Sequence, residues 1–199
     1  MVIQKGNNIY RIDLDTKDIF NQNLNCGLYS SFHINEYYGI TLDPDTEDLM
    51  FIMNFYESCD LGLYLSKNFY NIDWSNKLEI LDNIIVGLYH IHNSNFIHRD
   101  LHSGNILYSK LYSKHPAVIS DLGISKSSTE STDNDNIYGI IPYIAPEIFL
   151  GQEYTTAADI YSFGMIMWEL LTGRKPFWDQ DYDADLIIKI CDDIRHECT

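Results

Sequence analysis

The spacing of apolar positions divides the chain in two. Tyr37 to Thr41 and Leu49-Met50-Phe51-Ile52-Met53 have strand character on either side of the turn sequence Asp43-Pro44-Asp45-Thr46-Glu47. Together they predict the end of a small antiparallel sheet. Beyond residue 60 the period becomes helical. Leu78, Leu81, Ile85, Leu88 and His92 recur at steps of 3, 4, 3 and 4, one face of a long helix capped by Ser75 or Asn76 and ended by Asn93-Ser94-Asn95. Thr155 to Leu171 predicts a second helix, capped by Thr155 or Thr156 and stopped at Gly173, and Asp183 to Ile194 predicts a last one. Phe96-Ile97, Ile106-Leu107-Tyr108 and Ala117-Val118-Ile119 are short apolar runs between polar turns, and 125–136 reads as a polar loop without an apolar anchor. A strand-rich start followed by a helix-rich body is an α+β arrangement.

Composition narrows this picture. A chain of 199 residues with 45% hydrophobic content suits one ordinary domain, or one large domain cut short. Thirteen basic against 29 acidic residues give a net charge of −16. Each half of the chain carries −8 of it, so neither half is a basic arm or an acidic tail. A field of that sign repels phosphate backbones, which argues against nucleic acid or an anionic membrane as partner and is compatible with basic peptides. Cys26, Cys59, Cys191 and Cys198 form no C-x-x-C pair and no regular spacing, which predicts reduced thiols in an intracellular compartment. The most apolar stretch, Ile160 to Leu171, is too short to span a bilayer and contains Glu169. The expected location is the cytoplasm, with the nucleus as the alternative; the oligomeric state is left open.

The chemistry concentrates in three motifs. His98-Arg99-Asp100-Leu101-His102-Ser103-Gly104-Asn105 is followed by Asp121-Leu122-Gly123 and then by Ala145-Pro146-Glu147. Singly each is weak, but the ordered set resembles the signature of the eukaryotic protein kinase family, over about residues 33 to 195. The general look of Ser103-Gly104 and Pro142-Tyr143-Ile144-Ala145 is closer to the tyrosine-kinase-like branch of the Ser/Thr kinases than to true tyrosine kinases. The resemblance implies a bilobal fold: a partial, β-rich N-lobe over 1–53, a hinge over 54–60, and a mostly helical C-lobe over 61–199 with a catalytic loop at 98–105 and an activation segment at 121–147. It implies transfer of the γ-phosphoryl group of ATP to protein hydroxyls, Ser/Thr or Tyr. Asp100 would be the base, and Asn105 and Asp121 are hard oxygen donors suited to Mg²⁺. Arg99 would pair with a phosphorylated residue of the activation segment, for which Ser125, Ser127, Ser128, Thr129, Ser131, Thr132 and Tyr138 are candidates. Met53, Asn54 and Tyr56 would face the adenine, Leu107 would floor its pocket or serve as a core leucine, and Asp60 would touch the ribose or cap a turn. Asp159 would anchor the catalytic loop from below.

Departures from the family pattern are as informative. Gly6, Gly27 and Gly39 are isolated, so the chain shows no Gly-rich phosphate loop. The family's phosphate-binding Lys has its nearest counterpart in Lys5 of Val2-Ile3-Gln4-Lys5, which matches at two positions, and Asn23 stands where its Glu partner would align. His102 and Ile140 occupy places where Ser/Thr kinases usually carry Lys and Thr. The Arg that would pair with Glu147 falls beyond residue 199, so the chain reads as truncated at both ends. Two readings follow. One is a protein kinase; the other is a truncated, non-catalytic kinase-like module that binds a partner protein. The absent clamp argues against autonomous turnover.

Overall fold

The computed structural model describes residues 32–42, 46, 49–56, 58, 60–110, 116–122, 125–127 and 137–197. Lys5, Asn23, Gly123, and the candidate hydroxyls from Ser128 to Thr132 lie outside the described residues, as does most of the 43–47 turn. The fold is α+β, with a partial sheet leading into a helical body. Strands β1 (Tyr37–Leu42) and β2 (Leu49–Met53) pair antiparallel, with an irregularity between Tyr37 and Gly39. Helix α1 (Leu61–Asn68) follows, then α2 (Trp74–Asn93). Two short pairings then fold the middle of the chain: β3 (Phe96–Ile97) with β6 (Lys126–Ser127), and β4 (Ile106–Tyr108) with β5 (Ala117–Ile119). Helices α3 (Pro146–Phe149), α4 (Thr156–Thr172) and α5 (Ala184–Glu197) complete it.

Local chemistry explains the helix ends. Asp60 caps α1, accepting from the Leu63 N–H at 2.8 Å, and Asp73 caps α2, accepting from the Asn76 N–H at 2.7 Å. The long helix therefore starts ahead of the predicted Ser75 or Asn76 cap. Its first turn, Trp74-Ser75-Asn76-Lys77, carries no apolar repeat to reveal it. The buried stripe is Ile80, Ile84, Leu88 and Ile91; Leu81 and Ile85 pack beside it, while Leu78 is exposed. Helix α4 starts after Thr155 as predicted and ends at Gly173, which adopts the left-handed conformation (φ 71°) typical of a helix stop. Asp183 caps the last helix, accepting from the Asp185 and Leu186 N–H groups at 3.0 and 3.2 Å.

One core joins these pieces. Leu61, Tyr64 and Leu65 of α1, the α2 stripe, Ile106 and Tyr108 of β4, Ala117 and Ile119 of β5, and Ile166 and Leu170 of α4 pack together. Fully burying a Leu or Ile side chain stabilises by about 1.5–3 kcal/mol before entropy is counted, so this cluster dominates the fold. The N-terminal segment is tied to it through backbone bonds: Asn35 N–H to Ile119 O at 2.7 Å and Ile119 N–H to His33 O at 2.9 Å. That tie requires Gly87 on α2, where a Cβ would lie 2.7 Å from the His33 carbonyl oxygen.

Candidate active site

The loop between β3 and β4 is held from below by one buried carboxylate. Asp159, 1% exposed on the first turn of α4, accepts from the His98 N–H through Oδ2 (2.8 Å) and from the Arg99 N–H through Oδ1 (2.9 Å). His92 Nε2 of α2 lies 2.7 Å from the same Oδ2. Asp159 thus stands where the motif pattern places an anchor. His98 is fully buried, with Nε2 at 3.1 Å from the Ser120 carbonyl and Nδ1 accepting the Asp100 N–H at 3.3 Å. With these bonds made, the loop turns sharply: Arg99 adopts φ 72°, a strained left-handed conformation for a residue with a side chain.

That turn presents Asp100. Asn105 Nδ2 donates to the Asp100 carbonyl oxygen at 2.8 Å and to its Oδ2 at 3.1 Å, so one amide fixes backbone and carboxylate together. Asn105 sits at the end of β4 and Asp121 just past β5. The pairing of Ile106 with Ile119 brings the two to the same end of the ribbon. Ser120 tightens the junction, donating to the Asn105 carbonyl from both N–H (2.8 Å) and Oγ (3.0 Å). Asp121 is exposed, at φ 56°, and its N–H donates to the Tyr37 hydroxyl at 3.4 Å. Burial pushes the Asp100 carboxyl above its ordinary pKa; His98 opposes the shift, Asp121 adds to it and the Asn105 hydrogen bond opposes it.

The predicted adenine residues also converge. Met53, Tyr56 and Leu107 form one buried cluster with Val118, and Tyr37 packs against it. Asn35 Nδ2 lies 3.0 Å from Met53 Sδ, and the Tyr38 hydroxyl donates to Asn54 Oδ1 at 3.0 Å. Asp60, besides capping α1, makes an isolated antiparallel bridge with Leu107.

Arg99 is buried (6% exposed), and its guanidinium stacks 4.4 Å from the Tyr154 ring centroid and 5.5 Å from that of Tyr138. The Tyr154 hydroxyl in turn donates to the Tyr138 carbonyl and accepts its N–H. Ser125, a candidate for modification by sequence, is buried, with Oγ at 3.3 Å from the His98 carbonyl. It belongs to the loop's packing rather than to a solvated hydroxyl run.

Two arrangements had little sequence signal. Glu169 of α4 is buried and accepts the Tyr143 hydroxyl bond at 2.7 Å, and Tyr143 approaches Ser103 Oγ at 3.4 Å. Burial raises the pKa of both Glu169 and Tyr143. Above them opens a cavity of about 480 Å³ lined by Asp60, Leu63, His102, Ile140, Tyr143 and Lys175. The second arrangement is His102 itself. Its Nδ1 accepts the Gly104 N–H at 3.0 Å, its Nε2 lies 3.6 Å from Asp100 Oδ1, and burial first, then the His98 and Lys175 charges, push its pKa down to about 4.

Among the described residues, no three His, Cys, Asp or Glu side chains cluster as a ready-made metal cage, and no helix is long and apolar enough to cross a membrane. A family model described as protein tyrosine and serine/threonine kinase matches residues 12–198. A probable serine/threonine-protein kinase of Dictyostelium discoideum, roco5, is 37% identical over 143 residues, covering 70% of this chain and 5% of the relative. Mitogen-activated protein kinase kinase kinase 13-A of Xenopus laevis is 35% identical over 113 residues, 57% of this chain and 11% of the relative. Ephrin type-B receptor 3 of Gallus gallus is 32% identical over 154 residues, 74% and 15% respectively. The chain spans less than a sixth of the length of each of these relatives.

Proposed function

Because the chain belongs to the protein tyrosine and serine/threonine kinase family, we propose that it moves the γ-phosphoryl group of ATP to a serine or threonine hydroxyl of a protein, with tyrosine as the second acceptor class. The observation that carries this reading is the Asn105 amide bound to both the backbone and the carboxylate of Asp100, at the end of the ribbon where Asp121 emerges. Asp100 accepts the acceptor hydroxyl's proton and aims its oxygen; the raised pKa makes it a better base than an exposed aspartate. Asn105 and Asp121 fit Mg²⁺ by donor chemistry, since both offer hard oxygens and the Asn105 nitrogen is already spent on Asp100. Magnesium, when bound, neutralises charge on the nucleotide phosphates. Met53, Tyr56 and Leu107 give the adenine an apolar wall, with Asn54 at the hinge, while Asp60 offers the ribose the carboxylate oxygen not used in capping α1. Arg99, seated on Tyr154, holds the end of the activation segment, and Lys5 is the candidate cation for the phosphates.

The test is thermal unfolding with ATP, with and without Mg²⁺, beside Asp121→Ala. A magnesium-dependent rise in melting temperature that disappears in Asp121→Ala is expected. No shift in the parent would remove the nucleotide reading, and a shift surviving the substitution would remove the metal assignment. A magnesium-dependent shift without phosphoryl transfer to any protein acceptor would favour the non-catalytic module.

A further inference from the structure

His102 occupies a place where a flexible cation would be expected, yet its ring is fixed. The Gly104 N–H donates to Nδ1 at 3.0 Å, so in the neutral ring the proton sits on Nε2. Nε2 in turn faces Asp100 Oδ1 at 3.6 Å, with the His102 side chain only 13% exposed. The seat is made for a ring: a Cβ on Gly104 would stand 2.7 Å from His102 Cε1 and 2.8 Å from Nδ1. Tyr143 tilts against the other side with ring centroids 5.9 Å apart.

We propose that His102 is a positioning residue for Asp100, its Nε2–H holding Oδ1 while Asn105 holds Oδ2, so that the carboxylate is gripped at both oxygens. This deepens the kinase reading and rests on it. The 3.6 Å separation is an electrostatic contact rather than a finished hydrogen bond. Contacts of this kind tighten when substrate closes the site. The remaining charged and titratable neighbours are His98 beneath the loop, Asp60 at the head of α1, and Lys175 across the cavity. The tautomer also excludes a relay. Nδ1 is engaged by Gly104 and Nε2 already carries a proton, so the ring cannot receive the proton that Asp100 accepts. Its role is to orient the base.

Three substitutions separate this from simple packing. His102→Asn keeps an acceptor for the Gly104 N–H and is too short to reach Asp100. His102→Lys reaches Asp100 as a donor and loses the acceptor. His102→Phe keeps ring volume and loses both polar functions. Steady-state phosphorylation of a protein acceptor should show kcat reduced about tenfold or more in the Asn and Phe variants, KM for ATP little changed, and most of kcat recovered in the Lys variant. Parental kcat in His102→Asn would overturn the proposal. Nitrogen-15 NMR of histidine-labelled protein provides a readout independent of turnover. The expected spectrum has a protonated Nε2 and an unprotonated Nδ1, with the Nε2 resonance moving in Asp100→Ala. A ring protonated on Nδ1, or an Nε2 signal indifferent to Asp100, would sink the inference even where transfer is intact. A parent without transfer would instead remove the kinase reading, leaving the spectrum to decide the contact.

Discussion

Asp100 is kept at an electrostatic cost that its neighbours offset only in part. Burial raises its folded pKa, so the native state holds a proton more tightly than the unfolded chain between the unfolded value, about 3.9, and the raised one. Stability therefore falls as pH rises through that window, and the deficit persists at neutral pH. Asp100→Asn should raise the melting temperature at pH 7 while abolishing phosphoryl transfer, and the gain should vanish below the unfolded pKa. His102 has the opposite sign. Its folded pKa is about 4 against an ordinary value of 6.5, so its contribution is complete above about 6.5 and is lost as pH falls toward 4. His102→Asn should flatten the acid limb of the stability profile between those values, measured by denaturant unfolding at several pH values. Asp100 could be picked out through the ordered set of motifs and the family resemblance that set carries. The part played by His102 could not, because it depends on which ring nitrogen meets the Gly104 N–H.

At the scale of elements, two glycines decide how neighbouring pieces meet. Gly173 ends α4 at φ 71°, and a Cβ there would lie 2.5 Å from the Phe69 ring beyond α1. Gly173→Ala combines left-handed strain with a collision, and a loss of about 1–3 kcal/mol is expected from urea unfolding. Gly87→Ala is the sharper case. Alanine favours a helix interior by about 0.8–1 kcal/mol, yet the Cβ meets the His33 carbonyl at 2.7 Å, and a backbone oxygen cannot rotate away. The net effect should be destabilising, with faster amide exchange at Asn35 and Ile119, where the N-terminal segment is tied down. The period of α2 was readable in the sequence, but its phase was not. Leu78 shares the repeat and is exposed because the core meets α2 along Ile80, Ile84, Leu88 and Ile91, a choice made by β5, β3 and α4 rather than by α2. The bounds of helix α1 have no signature of their own within the helical stretch that starts at residue 60: three buried residues, Leu61, Tyr64 and Leu65, are too few to establish a period.

For the whole molecule, Asp159 is the point where the long helices meet the site. One carboxylate joins α4 to two backbone N–H groups of the loop and to His92 of α2. Asp159→Ala leaves those N–H groups buried without acceptors, and a loss of about 3 kcal/mol or more is expected, along with transfer activity, because Arg99 no longer holds its strained turn. Denaturant midpoints alongside activity would check this. A loss of activity with unchanged stability would show that the carboxylate serves the loop alone. The order of motifs singled out Asp100, Asn105, Asp121 and Asp159, and the fold brings Asn105 onto Asp100 and Asp159 under the same loop. The net charge of −16, by contrast, foretold nothing of the site, whose fields are set by burial and by single neighbours.

The contact between His102 and Gly104 also limits how such a chain can vary. While the imidazole fills its seat, any side chain at position 104 collides with it, so substitution of 104 is closed. Replacement of the ring by a slender side chain opens that space, after which position 104 can accept a Cβ. The two positions are linked: a side chain at 104 requires that the ring at 102 go first, and histidine returns to 102 only when glycine is back at 104.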